Sequence, residues 1–535
     1  MRLLRPTPRY ARAALLAVLA VVSLLCASAA PAAATPRGAT AATELGPLGA
    51  PVSAAPARRA PGRGPRARAA AGPSVTRALS SLLSAGQISE ATYRNDYAIY
   101  TAAKRSLGQL SGTRRAELGA VLANTQAIAA AGQLTASRQA IVFLTLEKNR
   151  YWWTTKPLLS GTVRVSFPPS KIVWQRYPGQ GIQIQWLGTF GAGNGFYSSG
   201  HENSNLRQLV DEVIPLATKR AGGLAWEYMF RFDGGAPPWT SGLSQGTGLQ
   251  MLARAGQRFK EPAYTAAAKE ALGIFQQPPP NGVRVPTKAG AWYAQYTYAP
   301  SDRIINGFIQ SLVGLYDYAA ITKDPLGLKL FEAGDAEARL AAPRFDTGAW
   351  SLYDQYGESD LSYHELLTEF LQHLCERTRK GPPTTPAAPP PVPPPTTTTP
   401  PATTTPVTPG GGTSASASAR AAATQIAGDD VYCATAKRFT AYETTPPTVA
   451  LLTRSLRGGT RAGVQVSLSK ISTVTIKVLK GSRLVWSNSA TVRAGKPRLL
   501  WATPSAGGTF TVSVAARDLA GNFSTTSGMV AVSRH

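Results

Sequence analysis

From about residue 75 the apolar positions recur every three or four residues. Ser89-Glu-Ala-Thr, Ser111-Gly-Thr-Arg and Thr135-Ala-Ser-Arg each stand just before such a run. A short side-chain oxygen there can accept from the first free N–H groups of a helix, so the spacing predicts three or four helices across 75–153. Between about 160 and 190 the period drops to two. Thr162-Val-Arg-Val-Ser-Phe and Ile182-Gln-Ile-Gln-Trp-Leu alternate, separated by Pro168-Pro169 and Tyr177-Pro-Gly, which predicts a short hairpin-like sheet. Helical spacing returns over 206–220, 241–254, 263–275, 304–318, 334–340 and 364–375, with Gly- and Pro-rich loops between. Such a series predicts antiparallel helical hairpins in an (α/α) toroid-like domain with a cleft at one end. From Pro446 only strand alternation remains, in Val464-Gln-Val-Ser-Leu, Val474-Thr-Ile-Lys-Val-Leu, Leu484-Val-Trp, Phe510-Thr-Val-Ser-Val and Met529-Val-Ala-Val. This predicts an all-β sandwich of immunoglobulin or fibronectin type.

Three stretches lack the apolar content to build a core. Residues 1–29 read as a secretory signal: Arg2, Arg5, Arg9 and Arg12 precede an apolar run too short to span a bilayer comfortably, and Ala27-Ser28-Ala29 offers a cleavage site. Residues 30–73 are an Ala/Pro/Arg-rich spacer, and 382–412 is a Pro/Thr tract closed by three glycines. The domains expected are thus a helical body over 74–445, carrying that tract as an insertion, and a sandwich over 446–535. Export also bears on the cysteines. Cys26 falls in the leader, and the remaining pair, Cys375 and Cys433, reads as one structural disulfide that makes the tract a bulging loop. The alternative is an interdomain linker with two free thiols.

The formal charge of +27 lies mostly at the ends: ten Arg and one Glu in residues 1–75, twelve Lys plus Arg and one Asp in 446–535. A basic sandwich of this kind could hold an exported protein on an acidic wall polymer, or simply reflect an Arg-rich composition. The helical body is only mildly basic. It has no nucleotide loop, nucleic-acid motif or metal-ligand spacing, so no cofactor, no nucleic-acid partner and no membrane span after leader removal are expected.

Candidate chemistry concentrates in 346–364, where Trp350, Tyr353, Tyr356, Tyr363, His364 and several carboxylates sit between the breaks Gly348 and Gly357, just before an apolar helical run. Polar, aromatic loops held by rigid elements are common places for chemistry. Eight of the ten tryptophans fall between 152 and 350, beside Tyr and Gln, as in a cleft that stacks on sugar rings.

Five collinear segments carry a resemblance: Tyr177-Pro-Gly-Gln-Gly-Ile-Gln-Ile-Gln, Trp239-Thr-Ser-Gly-Leu-Ser-Gln-Gly, Tyr296-Thr-Tyr-Ala-Pro-Ser-Asp-Arg-Ile-Ile-Asn-Gly-Phe, Gly314-Leu-Tyr-Asp and Asp346-Thr-Gly-Ala-Trp-Ser-Leu-Tyr-Asp. Over roughly 165–375 the chain resembles the D-glucuronyl C5-epimerase C-terminal domains. The resemblance implies inversion at C5 of uronic acid residues in an anionic polysaccharide. Tyr353 and Tyr363 would form the proton-transfer pair and Tyr296 would support them. Trp239, Gln245, Tyr177, Trp350, His364 and Arg303 would be substrate contacts. The chain departs from the animal enzymes at Gln295, at Gln355 or Tyr356, and near Leu367, so the charge for a substrate carboxylate would come from Arg303, Arg344, Arg231 or His201. A phenol can serve as base if nearby positive charge lowers its pKa. The competing expectations are a uronate lyase, which shares the first proton abstraction, and a non-catalytic glycan- or wall-binding protein.

Overall fold

A computed structural model describes residues 72–379, 381 and 430–534. The expected leader, nearly all of the 30–73 spacer, the 382–412 tract, Cys26 and His535 lie outside the described residues. Among the described residues, twelve α-helices lie between 75 and 378, and a strand-rich region follows a thirteenth.

Four helices come first: α1 Val75–Ser84, α2 Glu90–Gln109, α3 Gly112–Ala130 and α4 Ala136–Thr155. Ser74 and Ser89 cap the first two by accepting from the N–H groups of Arg77 and Thr92, whereas Ser111 and Thr135 make no such bond. Beside α3 and α4 lies an antiparallel sheet of three strands, β1 Val163–Val165, β2 Trp174–Tyr177 and β3 Gly181–Ile184, in that order. The central strand thus lies between the two expected breaks, Pro168-Pro169 and Tyr177-Pro-Gly, where the sequence reading placed no strand. All four of its residues are buried, and a strand covered on both faces loses the alternation that would reveal it.

Glu117 of α3 makes this buried strand tolerable. One carboxylate oxygen accepts from Arg176 Nε and Nη2 at 3.1 and 2.5 Å and from Gly179 N–H at 3.2 Å; the other accepts from Gly181 N–H at 2.8 Å. Gly179 and Gly181 both hold positive φ, and a Cβ on Gly181 would lie 2.5 Å from Val121. Asn149 of α4 accepts from Ile182 N–H at 2.8 Å and donates to its carbonyl at 2.6 Å. The opening helices thus fix the turn that presents Tyr177. Glu117→Ala would leave the Arg176 guanidinium buried and unpaired, and is expected to lower unfolding stability by about 3–5 kcal/mol. Denaturant unfolding checks this; a loss below about 1 kcal/mol would show that the pair holds nothing.

Helix α5, Trp186–Ser199, is absent from the sequence expectation because glycines occupy 188, 191, 193 and 195, each a weak helix former. Packing supplies what propensity lacks: a Cβ on Gly193 would meet Met251 Sδ at 2.2 Å. Helix α6, Asn203–Val213, ends well short of 220. Pro215 follows in a single 3₁₀ turn, and β4 Thr218–Arg220 pairs with β5 Gly223–Ala225. Then come α7 Gly242–Phe259, α8 Pro262–Ala271, α9 Gly273–Gln276, the hairpin β6 Arg284–Pro286 and β7 Ala291–Tyr293, α10 Ile305–Thr322, α11 Pro325–Ala341, α12 Leu361–Thr378 and α13 Val431–Tyr442.

Helices α7 and α10 form the centre. A Cβ on Gly314 would lie 2.0 Å from the Gly246 carbonyl, so the backbones touch. Gln310 bonds Thr247 and Asp317 bonds Gln250, contacts that advance in step, so the helices run parallel and their N-termini share one end of the body. Asp317 of Gly314-Leu-Tyr-Asp binds Arg377 and Arg254, and Tyr316 donates to the Arg377 carbonyl, so this motif ties helices together at the far end. Cys375 of α12 and Cys433 of α13 form a disulfide, with Cα atoms 4.9 Å apart.

Beyond α13 lie two sheets. β8 Val449–Leu451, β10 Arg461–Leu468 and β13 Arg498–Ala502 make one; β9 Ser455–Arg457, β11 Ser472–Lys480, β12 Arg483–Val492, β14 Gly508–Asp518 and β15 Phe523–Ser533 make the other. Inward residues of both, Val464, Val466 and Trp501 against Ile476, Val512 and Val514, share one apolar cluster, as strand alternation requires. Among the described residues no helix is long and apolar enough to cross a membrane.

Candidate active site

The segment between α11 and α12 folds back over the N-terminal end of α10. Tyr353 N–H donates to the Gly357 carbonyl at 2.9 Å, and the Tyr353 carbonyl accepts from Ile305 N–H, the first residue of α10, at 3.2 Å. The Gln355 side chain clamps the same turn to the 301–303 loop, accepting from Arg303 N–H at 2.8 Å and donating to the Ser301 carbonyl at 3.0 Å. Asp360 accepts from Tyr363 N–H at 2.9 Å and so starts α12, placing Tyr363 in its first turn. Two segments ten residues apart thereby bring the Tyr353 and Tyr363 rings to 5.0 Å, edge to face.

The strand-rich region clasps this loop from outside. Glu358 accepts from Ile471 N–H with one oxygen and from Ala494 N–H with the other, each at 2.9 Å. Arg493 donates to the Tyr356 carbonyl at 3.0 Å. Lys470, paired with Asp518 at 2.7 Å, stands 5.3 Å from the centre of the Trp350 ring.

Tyr296 reaches the same space from the loop after β7. Gln295 Nε2 donates to its hydroxyl at 3.1 Å, and the same amide opposes the rise in pKa at both Tyr296 and Tyr353. Gly307 leaves room for that amide: a Cβ there would lie 2.2 Å from Gln295 Oε1. Tyr296 also stacks on Tyr298 at 5.3 Å and meets Trp239 at 5.8 Å.

Burial pushes the Tyr353 phenol well above the ordinary tyrosine range, and the neighbouring Tyr296 and Tyr363 add to the rise. Tyr363 is raised by burial, then by Tyr296 and Asp360. Tyr296 and Tyr177 are raised mainly by burial as well. At rest the cluster holds neutral phenols, which are hydrogen-bond donors; the lowered pKa expected from a neighbouring cation is not found at these tyrosines. Among the described residues, the cation that opposes the rise is Arg164 of β1, acting on Tyr177. The alternating strand pattern gave no sign that its guanidinium would lie on the tyrosine side.

Several expected substrate contacts have structural partners. Gln245 is buried, its amide donating to the Trp226 carbonyl at 2.9 Å and accepting from Trp226 N–H at 3.3 Å. Trp350 is fully buried, stacked on His364 at 3.7 Å, with its indole N–H on the Ser359 carbonyl. His364 lies within 2.8 Å of Ser351 Oγ and 3.0 Å of the Phe439 carbonyl, and burial lowers its pKa to about 4, so it is neutral near pH 7. Trp239 stacks on Tyr228 at 4.2 Å and is almost wholly enclosed. Arg303 donates to the Pro300 carbonyl and lies over Trp292. Arg344 pairs with Glu337, and His201 bonds the Ser199 carbonyl. Tyr177 does reach the cluster, stacking on Phe230 at 4.7 Å with its buried hydroxyl unpartnered among the described residues. Tyr228, which stands outside the five segments, and Tyr298, from the segment that begins at Tyr296, join the aromatic wall. Among the described residues no group of three or more His, Cys, Asp or Glu side chains gathers as a metal site.

Comparison with known proteins places this geometry. Residues 222–382 match the family described as D-glucuronyl C5-epimerase C-terminus. A D-glucuronyl C5-epimerase of Caenorhabditis elegans is 31% identical over 131 residues, covering 22% of this chain and 21% of that protein. The chain therefore spans about a fifth of the length of the curated relative it matches. A crystal structure of an engineered protein aligns with 19% of this chain and 28% of its own at 19% identity and a TM-score of 0.15, a likeness that carries no argument. The family segment takes in Trp239, Tyr296, Tyr353 and Tyr363, but begins after Tyr177, Arg164 and the opening helices. Together the two matches support the D-glucuronyl C5-epimerase family for the segment that builds the tyrosine cluster.

Proposed function

We propose that this chain is an exported carbohydrate-active isomerase that inverts C5 of uronic acid residues within an anionic polysaccharide. The observation that carries the reading is the gathering of Tyr296, Tyr353 and Tyr363 from two loops and the first turn of α12, with the Gln295 amide between Tyr296 and Tyr353 and the Tyr363 ring against Tyr353, inside the segment that matches the epimerase family. The helical body would be (α/α) toroid-like, and the strand-rich tail an immunoglobulin-like sandwich.

The C5 hydrogen lies α to a carboxylate, so removing it leaves a dianionic intermediate that needs hydrogen-bond donors. Neutral phenols and the Gln295 amide provide them. One phenolate takes the C5 proton, and a phenol on the opposite face gives one back to the same carbon. The sequence of steps is proton transfer alone and calls for no organic cofactor. Because the Tyr353 and Tyr363 rings touch, a pyranose does not fit between their faces. The two faces of the sugar would then be served by that pair on one side and Tyr296 on the other. The substrate carboxylate would be met from the Tyr177 side, where the charge of Arg164 is felt.

The test is incorporation of deuterium at C5 in deuterated water across a panel of uronate polymers, with iduronate-type product and no chain shortening. Ultraviolet absorbance from an unsaturated uronate with shortening would instead make the chain a lyase. The raised phenol pKa values add a pH expectation. The base must be deprotonated, and burial favours the neutral form, so kcat/KM for exchange should climb with pH into the range above 10. A plateau reached near pH 7 would assign the base to some other group.

A further inference from the structure

We propose that a groove on the opening helices is a second binding site for the acidic polymer, separate from the tyrosine cluster. It is a cavity of about 530 Å³ between the C-terminal end of α4 and the segment after β1, with Lys148, Arg150, Lys156, Tyr151, Trp152 and Phe167 around it. This assignment rests on the reading of the substrate as an anionic sugar polymer.

The side chains combine the two contacts such a ligand needs. Lys148 Nζ stands 5.5 Å from the centre of the Phe167 ring, and Lys156 Nζ the same distance from Tyr151. Among the described residues no carboxylate pairs with these three cations, and Arg150 Nε, buried in the wall, has no hydrogen-bond partner. Glu147 is the single acidic residue at the rim. Cations held over ring faces without counter-charges meet carboxylates well, while the aromatic surface accepts the CH face of a sugar. Tyr151 is 42% exposed, and Trp152 meets Phe167 edge-on at 5.8 Å, with its indole N–H on the Pro157 carbonyl.

The groove is also joined to the tyrosines by one strand. Phe167 packs on Trp174 at 5.3 Å, and Trp174 opens β2, whose last residue is Tyr177. Three residues of strand cover about 10 Å, so the groove and the tyrosine cluster are held a short distance apart by one buried strand. None of these residues lies in the segment that matches the epimerase family, which suits a feature added to extend the grip on the chain.

The experiment uses the full chain in affinity gels containing polyglucuronate, dextran or a single-stranded DNA oligomer, alongside C5 exchange on long and short uronate substrates. Polyglucuronate should retard the wild type and dextran should not. Lys148→Glu with Lys156→Glu, and separately Trp152→Ala, should weaken retention about tenfold. They should raise KM on the long polymer by a similar factor, with kcat and short-substrate KM unchanged. Unaltered retention in both variants would overturn the assignment. So would equal retention by DNA that Trp152→Ala leaves intact, since that marks a general polyanion surface. If the variants lose polyglucuronate binding but no form of the protein exchanges C5 hydrogen, the groove stands and the proposed activity falls.

Discussion

Phenylalanine in place of Tyr296, Tyr353 or Tyr363 is expected to lower C5 inversion by about 10²–10⁴-fold, the usual contribution of a positioned acid or base. Each substitution removes one oxygen from a ring held by packing: Tyr353 against Tyr363, Tyr296 against Tyr298 and Trp239. Fold and polymer binding should therefore persist. Measuring exchange and inversion together separates the roles. A variant lacking only the group that returns the proton can still lose protium and take up deuterium on the first face, so it exchanges without inverting. A variant lacking the base does neither from that substrate, yet exchanges the opposite epimer. If the pair serves one face and Tyr296 the other, Tyr296→Phe should show the reverse epimer preference from Tyr353→Phe or Tyr363→Phe. Unchanged inversion in any one variant would remove that tyrosine from the mechanism.

The second large effect is expected at Glu358, whose carboxylate bonds backbone N–H groups of the strand-rich region and, among the described residues, no tyrosine of the cluster. Its carboxylate holds the N–H groups of Ile471 and Ala494, and the turn it terminates carries Tyr353, whose N–H is bonded to Gly357. Glu358→Ala leaves two backbone donors of the strand-rich region without their charged acceptor and frees the outer side of the turn. Displacement of a catalytic group by about 1 Å can cost on the order of 10²-fold, so kcat for exchange should fall about 10–100-fold with KM little changed. Glu358→Gln, which keeps one acceptor oxygen, should fall between. Equal exchange in Glu358→Ala and wild type would mean that the strand-rich region is a passive appendage to this site.

Much of the pattern was open to reading in one dimension. Helices over 75–153 and 241–375 and the strands after 446 follow from repeats of three to four and of two, because one buried face per element imposes them. The five segments carrying the family resemblance are local in sequence, so Tyr296, Tyr353 and Tyr363 could be named from them. What periodicity could not give were a strand buried on both faces and a helix built on weak helix formers. Strand Trp174–Tyr177 has no exposed face to alternate with, and Trp186–Ser199 is glycine-rich, with Gly193 set against Met251.

Tertiary structure alone decided which polar side chains are available for chemistry. Gln245, His364 and Trp350 look like substrate contacts in a list of residue types, yet their polar atoms are bonded to Trp226, Ser351, Phe439 and Ser359. Conversely, Gln295 counts as a loss in the motif and is the amide that links Tyr296 to Tyr353. The protonation of the phenols belongs to the same class, because pKa depends on burial and on charges brought together from distant positions. The sequence determined which elements form and which tyrosines the motifs carry. Folding determined their neighbours, since Glu117 against Arg176 and Glu358 against Ile471 are contacts across 59 and 113 positions that no local pattern encodes.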